Sequence, residues 1–189
     1  RLWPNEKNHQ AKQFIDFGNW TLFGKTLERT KNSIFGNPII STNVKYLKEI
    51  KKHLKKHKIK NYKIVLEPAK MNTGPAILSA ALINDIPDKQ PLLFLSSDHL
   101  IEKENIFFNE IKKNKKYLSN INIFIFGIKP NLPSTEFGYF LTKKNKKKYK
   151  VVKFIEKPNE SNAKKIIKKK RILEFRYVFI KKRFNNKQF

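Results

Sequence analysis

The 189-residue chain has no cysteine, one methionine and only six glycines. The missing cysteines exclude disulfides, thiolate zinc sites and a cysteine nucleophile. Acidic residues are scarce, with 15 Asp and Glu against 42 Lys and Arg, a formal net charge of +27. Arginine is scarce as well, since all but five of those cations are lysine. No stretch approaches the ~18 consecutive apolar residues that a membrane span needs. Neither G-x-x-x-x-G-K-S/T nor G-x-G-x-x-G occurs, which argues against a P-loop enzyme and a dinucleotide dehydrogenase. What remains is a globular composition, 39% hydrophobic and 30% charged, sized for one domain. The first residue is Arg1 rather than Met, so the expectation is a chain truncated at its N-terminus, where no signal peptide can be read.

A charge this large usually points to nucleic acid or an anionic surface. Here Lys, Asn, Ile and Phe make up half of the chain, and their codons consist almost wholly of A and T. A nucleotide bias therefore accounts for the lysines. A nucleic-acid binder should favour Arg, whose fork reaches phosphate and base edges bidentately, and should cluster its charge. The lysines instead run along the whole chain and read as solvated faces and loops. A basic nucleic-acid-binding module stays as an alternative of a different class, and the expectation is no specific nucleic acid and no membrane partner.

Apolar segments alternate in type. Residues 38–42 (PIIST) and 62–66 (YKIVL) read as strands flanking a helix over 43–57, in which Val44, Leu47, Ile50 and Leu54 share a face. Residues 75–84 (PAILSAALIN) are apolar nearly all round, as in a buried helix, and 91–95 (PLLFL) suit a central parallel strand. A helix at 104–118 and a buried strand at 121–128 follow. Two strands, 137–142 and 150–155, flank a lysine-rich turn, and a helix covers about 160–170. Strands alternating with helices imply an α/β fold with a mainly parallel sheet.

In such a sheet ligands bind beyond the carboxyl ends of the strands. Asp98 and His99 follow PLLFL; Glu67 and then Asn72, Thr73, Gly74 and Pro75 follow YKIVL; Glu156, Lys157 and Pro158 follow VVKFI. Taken singly, each has a plain structural use, as a helix cap, a turn or a strand end. His53 and His57 lie four apart on a helix without the glutamate of a zinc-protease motif, and read as surface histidines.

The ordered set is more specific than its parts. RLWP at residues 1–4, AKQF at 11–14, EPAKMNTGPAI at 67–77, SSDH at 96–99, TEFGY at 135–139 and FIEKP at 154–158 together resemble the bacterial mannose-1-phosphate guanylyltransferases. These lie within the wider sugar-phosphate nucleotidyltransferases. The corresponding family motifs are G-G-x-G-T-R-L-W-P, P-K-Q-F, E-P-x-x-R-N-T-A-P-A-I, P-A-D-H, T-G-Y-G-Y and F-V-E-K-P. Here Ala11 replaces Pro, Met71 replaces Arg and Gly74 replaces Ala.

The resemblance implies a Rossmann-like, mainly parallel sheet of the nucleotide-diphospho-sugar transferase type, incomplete at both ends. It implies GMP transfer from GTP to mannose 1-phosphate, giving GDP-mannose and pyrophosphate, in the cytoplasm. A related enzyme with another base or sugar is the alternative within the class. Asp98 would hold Mg²⁺, and Arg1 and Lys12 would neutralise the triphosphate. Glu67, Asn72, Thr73, Gly74 and Pro75 would line the base pocket. Glu156 would take sugar hydroxyls, Lys157 the sugar phosphate, and Gly138 would let the backbone approach the sugar. Nothing in the residues signals an oligomeric state.

The family's G-G-x-G loop, its W-N-S-G-M-F motif and its second metal-binding Asp are not found. Residues 1–170 are therefore expected to form a partial nucleotidyltransferase domain, and 171–189 an out-of-frame, loosely packed tail. One allowed coding of ILEFRYVFI, read one nucleotide later, spells YWNSGMFL. On this reading the chain itself is inactive.

Overall fold

The computed structural model describes residues 11–69, 73–83, 85–87, 90–119, 123–145, 148–168 and 172–181. They fall into two compact units. The first holds the described residues up to Leu92 together with those from Ser96 to 119 and Lys181, and the second holds Leu93–Leu95 with Ile123–Ile180.

The first unit begins with a 3-10 turn, Lys12–Phe14, and a helix α1, Leu22–Thr30. The alternation of elements read from the sequence does not contain α1. Its start lies in Thr21, an extended residue whose Oγ1 accepts the Gly24 N–H at 2.9 Å, satisfying one of the first-turn amides that lack an intrahelical partner. Leu22, Phe23 and Leu27 then face inward. Strand β1 (Ile39–Asn43) leads through a 3-10 turn, Val44–Tyr46, into α2 (Leu47–Lys56). Asn43 caps that turn by accepting the Lys45 N–H. Ile50 and Leu54 bury one face of α2 while its lysines remain in water. Strand β2 (Lys63–Glu67) runs parallel to β1, with Ser41 opposite Val65 and Asn43 opposite Glu67. Helices α3 (Thr73–Ala81) and α4 (Glu104–Lys115) complete the unit. Its core is Phe14, Phe23, Leu27, Ile50 and Leu54, closed by Ile40, Tyr46, Ile59 and Ile64.

The second unit carries a five-stranded sheet. Its path is β3 (Pro91–Phe94), β7 (Ile172–Lys181), β5 (Tyr139–Asn145), β6 (Lys148–Ile155), and β4 (Ile123–Ile128) pairs with β7. The ladders of β4 with β7, β5 with β6 and β5 with β7 are antiparallel. The protein is thus α/β with a parallel pair, as the alternation implies, plus antiparallel ladders. Helix α5 (Glu160–Ile167) is capped by Asn159, whose Oδ1 accepts the Asn162 N–H at 2.9 Å. It packs Ile166 against the fully buried Tyr139.

Five expectations are corrected. Helix α3 is not buried all round: only Ala80 and Ala81 are, and Leu82 is half exposed. A two-stranded sheet is too narrow to cover every face of an apolar helix. Strand β3 is not central but ends the sheet path, and β4 leaves Ile123 and Ile128 exposed at its ends. His53 is not a surface residue; it is 5% exposed. Finally, of the expected loose tail 171–189, residues 172–181 form strand β7, with ladders to both β4 and β5, while residue 171 and residues 182–189 lie outside the described residues. Branched and aromatic residues dominate ILEFRYVFI, and such a segment takes up ladder pairing on composition alone.

Candidate active site

In the first unit the turn after β3 delivers Asp98, and the 3-10 turn at the other end of the sequence delivers Lys12. The Lys12 ammonium donates to Asp98 Oδ2 at 3.4 Å across 86 positions of sequence. Both groups keep access to solvent, as an exposed pair that must meet a ligand requires. His99 Nε2 lies 3.8 Å from Asp98 Oδ1, so two cationic or potentially cationic groups flank one carboxylate. Two residues from separate motifs of the resemblance are thereby brought together.

Glu67 ends β2, and its carboxylate is held by β1: Ser41 Oγ donates to Oε1 at 2.6 Å, and the Asn43 amide donates to the Glu67 carbonyl at 3.2 Å. Sequence reasoning misses Ser41, since only the register of β1 on β2 reveals it. Thr73, Gly74 and Pro75 form the exposed first turn of α3. A Cβ at Gly74 would meet nothing within 4 Å, so packing within the chain does not require a glycine there. Arg1 and Asn72 lie outside the described residues.

In the second unit the β5–β6 ladder sets Gly138 beside Glu156. A Cβ on Gly138 would stand 2.5 Å from Phe154 Cε2 and 2.9 Å from Glu156 Oε2, so the missing side chain is what leaves room for that carboxylate. The position of Gly138 is fixed by Tyr139, whose hydroxyl donates to the Ser134 carbonyl at 2.9 Å and accepts the Ser134 N–H at 2.8 Å. Glu156 and Lys157 are exposed. Lys157 adopts a positive φ of 36°, a conformation that strains a side chain bearing a Cβ. Beside them an open groove of about 560 Å³ is lined by Lys153, Phe154, Ile155, Glu156, Asn162 and Lys165.

Among the described residues no three His, Asp or Glu side chains gather as a protein-only metal cage. A single carboxylate open to solvent at Asp98 is nevertheless enough for Mg²⁺, which completes its octahedron with water and substrate phosphates. The site fits that ion and does not fit zinc, which asks for three or four protein ligands.

Residues 1–187 match the family model described as nucleotidyl transferase. The chain belongs to that family. Among its curated relatives, mannose-1-phosphate guanylyltransferase of Klebsiella pneumoniae is 32% identical over 170 residues, 86% of this chain and 36% of the relative. Mannose-1-phosphate guanylyltransferase 2 of Escherichia coli O157:H7 is 34% identical over 176 residues, with the same coverage. This nucleotidyl transferase chain therefore spans about a third of the length of those relatives. Among solved structures, mannose-6-phosphate isomerase from Helicobacter pylori superposes with a TM-score of 0.79 at 27% identity, covering 90% of this chain and 66% of that one. A Thermus thermophilus structure titled mannose-1-phosphate geranyltransferase gives 0.76 at 20% identity, covering 94% and 52%, and bears on the fold alone. No helix among the described residues is long and apolar enough to cross a membrane.

Proposed function

We propose that this nucleotidyl transferase chain carries the machinery for moving GMP from GTP to mannose 1-phosphate, with GDP-mannose and pyrophosphate as products. The observation that carries the reading is the Lys12–Asp98 pair at the turn after β3, in a chain whose curated relatives bear the guanylyltransferase name. Displacement at a phosphorus centre needs positioning and charge neutralisation more than covalent help from the protein. Lys12 supplies a fixed cation for triphosphate oxygens, and Arg1 a second. Asp98 would hold Mg²⁺, which when bound supplies Lewis-acid polarisation of the phosphoryl oxygens. Glu67, anchored by Ser41, together with Asn72, Thr73, Gly74 and Pro75, would form the nucleobase side.

Glu156 would accept hydrogen bonds from sugar hydroxyls where Gly138 lets the backbone come close, and Lys157 would pair with the sugar phosphate. The cytoplasm, where nucleoside triphosphates are abundant, is the proposed compartment. The test is pyrophosphate release with Mg²⁺ from GTP, ATP, UTP or dTTP, combined with mannose 1-phosphate or glucose 1-phosphate. It is run on a version preceded by the family's glycine-rich loop and completed with its W-N-S-G-M-F motif and second metal-binding Asp, with the 189-residue chain as the inactive control. Turnover confined to GTP and mannose 1-phosphate is expected; preference for another pair would move the protein to the related sugar-1-phosphate enzymes.

A further inference from the structure

His53 is a buried titratable group that the proposed chemistry does not use. It sits on α2, yet its ring packs on Phe14 at 5.6 Å and edge-on to Phe23 at 5.6 Å, and stacks on His57 at 6.0 Å with planes 5° apart. Phe14 is the last residue of the 3-10 turn that begins with Lys12. The polar edges of the ring are placed as well: Nδ1 lies 3.5 Å from Thr21 Oγ1, and Nε2 lies 3.4 Å from Glu49 Oε1. Thr21 Oγ1 already accepts the Gly24 N–H, so its own proton is free to point at Nδ1. The acceptor-only Glu49 carboxylate on the other edge favours the neutral tautomer with hydrogen on Nε2. Hydrogen bonds then run from Gly24 through Thr21 to His53, with Glu49 Oε1 3.4 Å from Nε2, and tie α1 to α2. The helices approach closely here, since a Cβ on Gly24 would come within 2.6 Å of His57 Nε2.

We propose that His53 is a positioning residue: while its imidazole is uncharged it seats Phe14, and with it the turn that holds Lys12 beside Asp98. A proton added at Nδ1 turns an acceptor into a donor facing the Thr21 hydroxyl. That hydroxyl must turn its own proton away from the ring and gives up, in a buried place, the bond it donates to Nδ1. A charge also appears between two phenylalanine rings. The charged and titratable groups around the ring are Glu49, Lys52, Lys56 and His57 on its own helix, and Glu28 of α1, reached through His57. The Lys12–Phe14 turn meets it through the Phe14 ring, which also packs on Tyr46. Burial is the largest influence and pushes His53 below its ordinary 6.5; Glu49 opposes this, and His57, Lys56 and Lys52 reinforce it. Below pH 6.5 the unfolded chain therefore takes up a proton that the seated turn refuses, and seating weakens as pH falls.

The seating is independent of any activity, whereas its consequence for catalysis rests on the function proposed above. The experiment is amide hydrogen exchange on the 189-residue chain at pH 7.5 and 5.5, corrected for intrinsic rates, on the parent, His53→Phe and His53→Gln. In the parent, protection at Phe14 and Gly24 is expected to fall about tenfold more than in the β5–β6 hairpin; in both variants that extra fall should vanish. Equal protection at the two pH values in the parent, or the same extra fall in a folded variant, would overturn the proposal. Imidazole nitrogen resonances of the parent give a second reading that needs no variant. At pH 7.5 the expected form is neutral with hydrogen on Nε2, and a charged or Nδ1–H ring refutes the assignment. In a version with turnover, the KM for the nucleotide should rise at acid pH in the parent but not in the variants, with kcat little changed. Exchange as expected in the 189-residue chain, with no turnover of the completed version on any substrate, would reject the function and leave the seating in place.

Discussion

Arg29 offers a sharp test of how this small core tolerates charge. It is 2% exposed on α1, and its Nε donates to Glu104 Oε1 at 3.0 Å. Nη1 reaches Thr26 Oγ1 at a long 3.4 Å, and Nη2 has no hydrogen-bond partner among the described residues. Replacing the guanidinium by the thioether of Arg29→Met removes a charge-assisted hydrogen bond worth about 1.5–3 kcal/mol, but also an unpaired buried N–H group that costs about 1–3 kcal/mol. Glu104, 37% exposed, then turns to water. The balance is a change of less than about 1 kcal/mol. Arg29→Ala loses in addition the packing of the stem, at about 0.8 kcal/mol per buried methylene, and leaves a cavity, for about 2–4 kcal/mol in all. Glu104→Ala should be worse than Arg29→Met, at about 3 kcal/mol, because it strands a buried cation. Urea unfolding midpoints at constant slope read all three. The reasoning is refuted by Arg29→Met costing more than Glu104→Ala, which would mean that the guanidinium is fully satisfied and stabilising.

Asp98→Asn, in a version that turns over, should lower kcat by a factor on the order of 100 or more, since it removes the carboxylate proposed to hold the metal; near-normal turnover would take Asp98 out of the site. Lys157→Ala should raise the KM for the sugar phosphate far more than that for the nucleotide, whereas Lys157→Gly should also raise thermal stability by relieving the positive φ at about 1 kcal/mol. An equal rise in both KM values would make the lysine structural. Desolvation raises the Glu28 pKa, but hydrogen bonds from Lys31 and His57 outweigh it and hold the carboxyl below its ordinary 4.5. Its contribution is thus present above about pH 4.5 and lost as pH falls through the lower folded value. Acid unfolding of Glu28→Gln should be less steep than that of the parent, and identical acid profiles would contradict the assignment.

The parts legible in the sequence are those set by local pattern. Strands β1, β2, β3 and β4 end within two residues of where their apolar runs end, and α2 shows its Ile50–Leu54 face directly. Helix α1 is not legible as an alternating element, because Gly24, Lys25 and Thr26 interrupt its apolar stripe, although Thr21 carries the cap signal. Burial is less legible than type. Whether His53 faces water depends on Phe14, 39 positions away, and no periodicity within α2 distinguishes it from His57. The site is legible as a set of ordered motifs. The contacts that organise it, Ser41 on Glu67 and Tyr139 on Ser134, depend on strand register and loop path. Lys12 meeting Asp98 is a long-range fact that only the fold supplies.

Strand β7 separates two questions that the sequence joins, whether a segment can pair in a sheet and whether it was selected to do so. It lies between β3 and β5 in the sheet path, a segment rich in branched and aromatic residues that nonetheless carries Glu174 and Arg176 in its middle. Its register on β4 jumps from Phe126 opposite Tyr177 to Gly127 opposite Phe175, leaving Arg176 as the bulged residue. Bulges accommodate a residue that does not fit the alternation of a ladder. A charge at each of two alternate positions is what an unselected reading frame would leave in an otherwise branched and aromatic segment. The nucleotide sequence is therefore expected to read ATATTGGAATTCAGGTATGTTTTTATT, or a synonym, across ILEFRYVFI, so that a shift of one nucleotide after the lysine codons 168–170 gives YWNSGMFL. A chain rebuilt in that frame should lose the bulge and unfold at a higher urea concentration than the parent, because a continuous ladder replaces one interrupted by a charge. A locus whose shifted frame does not spell W-N-S-G-M-F would refute this outright, and β7 would then be a native strand that tolerates Glu174 and Arg176 through its bulge.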